Sequence, residues 1–176
     1  MAPSDHALLS ASGAHRWLNC TPSAVLESAQ PDSPSDAAEQ GAAAHALAEW
    51  KLRRALHQAP TFKPESGWVD EEMEHLTDDY VSFVQEHVSL ARETYADPQV
   101  LIEQRLDFSH VVPGGFGTGD CLIIAEPKLQ IIDLKYGMGV LVEAERNPQL
   151  MLYALGALHA FGDLYDITDV AVTIYQ

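Results

Sequence analysis

The stretch Gly117-Thr-Gly-Asp120-Cys-Leu-Ile-Ile-Ala125-Glu-Pro-Lys128-Leu-Gln-Ile-Ile-Asp133-Leu-Lys135 holds two short apolar runs split by Glu126, Pro127 and Lys128. Runs of this length, rich in Ile and bounded by turn residues, predict strands over 120–125 and 129–135. Gly114, Gly115, Gly117 and Gly119 read as a turn or a bulged start to the first of them. Closed as a hairpin through 126–128, the strands set residues whose numbers sum to about 254 opposite each other, which brings Asp120 level with Asp133 to Lys135. Period-two alternation puts Asp133 and Lys135 on one face and turns Leu134 into the core. Two carboxylates and an ammonium then meet at one end of a sheet.

Upstream, Val100, Ile102, Leu106 and Phe108 fall on one face of a further strand, with Glu103, Arg105 and Asp107 on the other. Glu103 is read there as the ion-pair partner of Arg105, with service to a second metal as the alternative. Ahead of Pro98, the residues Val69, Met73, Leu76, Tyr80, Val84, Val88, Ala91 and Tyr95 recur every three or four positions, which predicts a long amphipathic helix after a Pro-containing loop over 60–67. The alanine-rich run from Ser35 predicts a helix to about Leu56, and its small residues Gly41 to Ala44 permit close approach of another backbone. Residues 1–40 read as short helical pieces joined by turns. Ser10 and Ser12 are candidate N-caps for a helix through Trp17 and Leu18, Thr21 caps a second with Pro22 at its first position, and 30–34 is a loop.

Downstream, 136–139 reads as a turn and 140–142 as a short strand. Asn147-Pro148 opens a largely apolar helix to about Phe161, and 170–175 is a last strand. The expected fold class is therefore α/β of the α+β kind, an N-terminal helical region followed by a mixed central sheet of about four or five strands flanked by helices. A single domain covers 1–176, with 1–97 mainly helical and 98–176 forming the sheet and helix core. Gln176 directly follows an apolar strand, which fits either a domain ending on that strand or the N-terminal part of a longer protein.

The chain has 176 residues, with 10 Lys+Arg against 26 Asp+Glu and a net charge of −16. Hydrophobic residues make up 47% and charged ones 20%, a globular composition for which disorder is excluded over most of the length. No apolar run approaches the ~20 residues of a membrane span, and the N-terminus lacks the pattern of a signal peptide, so a cytoplasmic protein is expected. Cys20 and Cys121 cannot make a disulfide framework. The acidic balance, taken alone, argues against nucleic acid as a partner.

The chemistry of the hairpin cluster points the other way. Paired carboxylates are costly without a cation between them, and hard oxygen ligands select Mg²⁺ or Mn²⁺. A lysine beside such an ion can polarise or deprotonate water and stabilise charge developing on a phosphoryl oxygen. Asp-x-Lys is also a common tripeptide that an edge-strand ion pair would explain. Two further features accompany it: Gln149 and Tyr153 share a face of the apolar helix, where a polar pair wants partners, and Gly41-Ala-Ala-Ala-His45 sets an imidazole one turn beyond a glycine. His6, His15, His57, His75, His87, His110 and His159 are read as packed or exposed residues without such a role.

In their order these motifs resemble the RecB-like branch of the PD-(D/E)xK nuclease superfamily. The resemblance runs from Arg16-Trp17-Leu18-Asn19-Cys20 through Gly41-x-x-x-His45, Gly117-x-x-Asp120, Asp133-x-Lys135 and Gln149-x-x-x-Tyr153. Asp133-Leu-Lys-Tyr-Gly-x-Gly139 followed by Asn147-Pro-Gln-Leu-Met-Leu-Tyr-Ala-Leu-Gly156 is similar, more narrowly, to an uncharacterised family of phage and prophage nuclease-like proteins. The resemblance implies a restriction-endonuclease-like core and a divalent-metal-dependent deoxyribonuclease, an exonuclease of phage recombination or DNA processing in the bacterial cytoplasm. It implies His45, Asp120, Asp133 and the backbone carbonyl of Leu134 as ligands of Mg²⁺ or Mn²⁺. Lys135 would position or activate water, and Gln149 and Tyr153 would orient the lysine and contact phosphate.

The chain departs from the pattern in places. Gly119 stands where the superfamily name has Pro, and Asp133 is one methylene shorter than the commoner Glu. Some RecB-like nucleases hold an iron-sulfur cluster on one N-terminal Cys and three later ones. Cys20 lies at the first place and the other three are absent, so no such cluster can form within these residues. The implied partners are DNA and a phage single-strand annealing protein or recombinase, with a homo-oligomer plausible by analogy and no membrane. Lys51, Arg53 and Arg54 follow His45 on its helix and are candidate phosphate contacts, although cations at a helix C-terminus also complement its dipole. Arg16 and Arg146 are lesser candidates. The alternative function is a nuclease-like scaffold that binds DNA or a partner protein without cutting. Seven of the acidic residues, Glu65, Asp70, Glu71, Glu72, Glu74, Asp78 and Asp79, crowd the start of the long helix and are expected to face solvent there. On that reading the net charge averages an acidic flank with a metal-centred cleft, and DNA binding without metal should be poor.

Overall fold

The computed structural model describes residues 7–30, 34–59, 62–137 and 141–176. Helices α1 (Ala14–Asn19), α2 (Ser23–Ser28), α3 (Asp36–Ala55) and α4 (Glu71–Thr94) precede strands β1 (Gln99–Asp107), β2 (Phe116–Ala125) and β3 (Lys128–Leu134). Helix α5 (Pro148–Phe161) then crosses to β4 (Asp169–Tyr175). The sheet runs β1-β2-β3-β4, antiparallel at the first two junctions and parallel at the third. It is a mixed four-stranded sheet, as expected, with α3 and α4 on one face and α5 on the other. Among the described residues no helix is long and apolar enough to cross a membrane.

Local chemistry sets the helix limits. Ser35 caps α3 by accepting from Ala38 N, Asp70 caps α4 by accepting from Met73 N, and Asn147 caps α5 by accepting from Gln149 N and Leu150 N. At the N-terminal end the expected caps are corrected. Gly13 and Pro22 occupy the cap positions of α1 and α2 without a side-chain cap bond. Ser10 still takes Gly13 N from outside the helix.

The hairpin is tighter than expected. Ala125 pairs with Lys128 and Cys121 with Ile132, so the turn has two residues and the register shifts by one. Strand β2 also begins earlier, at Phe116, because Gly117 and Gly119 belong to the strand. A Cβ on Gly117 would stand 2.8 Å from Tyr153 Cε1, so the absent side chain is the space in which the Tyr153 ring lies. The expected strand over 140–142 is not formed at Leu141 and Val142, and Val140 lies outside the described residues. The Gln176 side chain takes both Val142 N and Val142 O, in place of a strand partner. Positions 31–33, Pro60, 138 and 139, and His6 also lie outside the described residues.

The alternation along β1 is corrected too. Val100 and Ile102 pack toward α3 and α4, whereas Leu106 and Phe108 pack toward α5. The same inversion occurs in β2, where Cys121 and Ile123 face α4 while Gly117 and Gly119 face α5-side residues. Ladder pairs run Ile102↔Cys121 and then Gln104↔Gly119, skipping Glu103 and Asp120 between them. Glu103 has φ 50, the left-handed region, which turns the strand over locally. Because both strands invert at the same level, the register survives.

Candidate metal centre

The double inversion sends Glu103 and Asp120 to the α3 side of the sheet, where His45 waits in mid-helix. One ligand atom from each of His45, Glu103 and Asp120 lies within 4.8 Å of the other two. His45 Nδ1 is 3.2 Å from Asp120 Oδ1, and Asp120 Oδ2 accepts a 2.6 Å hydrogen bond from Leu134 N. That bond ties the end of β3 to the cluster. The cleft is lined further by Glu49, Leu134 and Tyr80. Tyr80 is buried and its hydroxyl has no hydrogen-bond partner among the described residues. Beside His45, a Cβ on Gly41 would meet nothing within 4 Å, so the expected close backbone approach does not occur there and the helix is open at that point.

On the α5 side of Leu134 a second set converges. Asp133 is 2% exposed, and its Oδ1 accepts from Gln149 Nε2 at 3.2 Å. Lys135 Nζ stands 2.8 Å from Asp133 Oδ2, an ion pair that pulls against the burial of the carboxylate. Lys135 Nζ donates to Gln149 Oε1 at 3.2 Å, and Gln149 Nε2 also reaches Tyr153 Oη at 3.1 Å. Gln149 therefore holds the lysine, the aspartate and the tyrosine in one network. The α5 cap at Asn147 fixes the first turn from which Gln149 projects.

Electrostatics bind the two sets together. Burial, then the Asp120 charge, push the Glu103 carboxyl up to about 7. Burial and Asp120 likewise raise Asp133, against the pull of Lys135. Burial opposes a charged His45 ring, but the bond and charge of Asp120, with Glu103 and Asp133 behind it, outweigh this and raise its pKa. Three carboxylates in one region resist sharing negative charge. A hard divalent cation relieves that repulsion, and the imidazole-carboxylate donors suit Mn²⁺ or Mg²⁺. The Tyr80 hydroxyl, unpartnered among the described residues, is a further group that the surroundings of such an ion can satisfy.

Of the residues singled out in sequence, His45 and Asp120 come together as expected, and Lys135, Gln149 and Tyr153 form the expected chain with Asp133. Asp133 lies outside the tight cluster, and Glu103 stands in it instead. Leu134 lines the cleft, with its N–H given to Asp120. The Glu103–Arg105 ion pair is corrected: the Arg105 guanidinium lies over the Phe116 ring at 3.6 Å. Two of the three candidate DNA contacts are engaged within the fold. Lys51 Nζ is 2.7 Å from each of Glu74 O, Glu74 Oε2 and Asp78 Oδ1, locking α3 to α4. Arg53 bonds Glu49, Gln58 and Ile102 O, and Gln58 takes Val100 O, so these side chains cover the open carbonyls of edge strand β1. Only Arg54 is exposed, stacked on Trp50. Arg16 is paired with Glu27.

Tyr80 belongs to the core face of α4, as its spacing predicts, and brings its hydroxyl to the cleft. Glu103 was expected mainly as the partner of Arg105, with a metal role as the alternative, because simple alternation places it on the opposite face. Residues 6–176 match the family described as "Protein of unknown function (DUF2800)", and the chain belongs to that family.

Proposed function

We propose that the protein is a divalent-metal-dependent deoxyribonuclease, an exonuclease of phage recombination or DNA processing that works in the bacterial cytoplasm. The reading rests on one observation above the rest: the His45–Glu103–Asp120 cluster adjoins the Asp133–Lys135–Gln149–Tyr153 network, with the Asp120–Leu134 bond between them. His45, Glu103 and Asp120 would hold the cation, with Asp133 and the Leu134 carbonyl as neighbouring donors. When bound, Mn²⁺ or Mg²⁺ supplies Lewis-acid activation of water and of the phosphoryl oxygen. Lys135 then acts on the phosphate as a fixed positive charge. Gln149 keeps its ammonium on the Asp133 side, and a preplaced charge of this kind is worth roughly 10²–10³ in rate. Tyr153 holds Gln149 and completes the positioning.

The second reading, a nuclease-like scaffold that binds DNA or a partner protein without cutting, is favoured by one observation. Lys51 and Arg53 are spent inside the fold of a chain whose net charge is −16. A phage annealing protein or recombinase, or a second copy of the chain, would be the partner in either case. Degradation of linear DNA in Mn²⁺ separates the readings. The nuclease reading expects activity in the wild type and its loss in Asp120→Ala, Asp133→Ala and Lys135→Ala. Full activity in all three variants would remove the mechanism, and a wild type that binds Mn²⁺ without cutting would leave the scaffold.

A further inference from the structure

A cavity of about 630 Å³ opens on the α5 side of the site, with Lys135 and Gln149 at its floor. One wall is the N-terminal segment at Ala11, Ser12 and His15. The other runs from Leu141 and Val142 to Arg146 and Pro148. A second cavity of about 230 Å³ continues past Ala11 and Ser12 to Thr118 and Tyr153. Gln149 and Tyr153 are one helical turn apart, so the two cavities form a furrow along the first half of α5.

The N-terminal wall is held firmly. Ala11 and Ala14 are buried against the α5-side core, Trp17 Nε1 donates to Ser10 O, and Ser10 Oγ accepts from Gly13 N. Ser12 and His15 are exposed and face the furrow with a hydroxyl and an imidazole. Leu141 is 76% exposed on the opposite wall, next to Val142 and Pro148. Glu143 and Glu145 stand on that wall too, so phosphate attraction alone cannot supply the affinity.

We propose that this furrow takes an unpaired nucleotide of the strand to be cut, with its base on the Leu141–Val142–Pro148 wall and its phosphate between Lys135 and the Ser12–His15 segment. In a duplex the base faces are stacked on one another, and only an unpaired or flipped base can lay a face on an apolar wall. Hydroxyl and imidazole donors position phosphates without reading sequence. Ser12 and His15 are thus positioning residues for single-stranded nucleic acid, an assignment that rests on the nuclease reading above.

The test is fluorescence anisotropy with a labelled phosphorothioate oligonucleotide, single-stranded or as a blunt duplex, in Mn²⁺, with Mn²⁺ uptake measured in parallel by calorimetry. The wild type should bind the single strand at least tenfold more tightly than the duplex. Ser12→Glu and His15→Glu, both at exposed positions, should each lose about tenfold in single-strand affinity while taking up Mn²⁺ normally. Equal affinity for the duplex, or both variants binding like the wild type, overturns the proposal and leaves the metal centre standing. Absence of Mn²⁺ uptake by the wild type overturns the nuclease reading itself.

Discussion

Glu103 is where the site departs most from a plain sheet. A non-glycine residue in the left-handed region costs of order 1–3 kcal/mol, and here it also carries a carboxyl into a cleft shared with Asp120. Both costs are relieved in Glu103→Gly, which should raise the thermal stability of the metal-free protein by about 1 kcal/mol while weakening Mn²⁺ binding at least tenfold. A thermal melt and a Mn²⁺ titration on the same variant check the two halves. Lower stability with unchanged Mn²⁺ affinity would mean that Glu103 serves only the fold. At this scale the residue types were readable in sequence: His45 and Asp120 come together at the cleft, and Asp133, Lys135, Gln149 and Tyr153 share a network on the other side of Leu134. A metal role for Glu103 was legible only as the alternative to an Arg105 ion pair, because apolar alternation carries no sign of a strand that inverts in step with its neighbour.

Between elements, the fit of α5 onto β2 decides whether the lysine is held. Gly117 makes room for the Tyr153 ring, and Tyr153 supports Gln149. Gly117→Ala would put a methyl against Tyr153 Cε1 and Ala11 Cβ, an overpacking that costs roughly 1–3 kcal/mol. Its melting point should fall, and the DNA-cutting rate should fall more than the loss of folded protein explains. An unchanged rate per folded molecule would show that Tyr153 does not need this seat. Helix and strand order was legible because Ser35, Asp70 and Asn147 cap helices whose periodicity is clear. The fate of Lys51 and Arg53 was not legible. Their acceptors, Glu74, Asp78 and Ile102 O, come from α4 and β1, far off in sequence, and only packing brings them near.

Over the whole molecule, the charge of −16 is distributed more usefully than its size suggests. The acidic start of α4 faces solvent as expected at Glu65, Asp70, Glu71, Glu72, Asp78 and Asp79, while Asp70 also caps the helix and Glu74 and Asp78 hold Lys51. The cluster around Asp120 should make stability depend on both pH and metal. Glu103, Asp133 and His45 all have pKa values raised in the folded state, Glu103 to about 7. Groups of this kind bind more protons folded than unfolded, so their contribution is full at low pH and is lost as pH rises through the folded values. Subtracting the melting points of Asp120→Asn from those of the metal-free wild type should therefore give a difference that declines between about pH 4.5 and 7. Saturating Mn²⁺ should reverse the trend in the wild type, because the ion binds the deprotonated donors. A flat difference would mean that the three groups do not titrate as one site.

Whether the cation and the lysine cooperate on a phosphodiester is tested most directly by pairing Mn²⁺ uptake with nucleotide release for the wild type and Lys135→Ala. The wild type should bind Mn²⁺ and release nucleotides from linear DNA, and Lys135→Ala should bind Mn²⁺ equally well yet release them at least 100-fold more slowly. A wild type that binds Mn²⁺ and releases nothing, or a Lys135→Ala variant as fast as the wild type, would contradict the account.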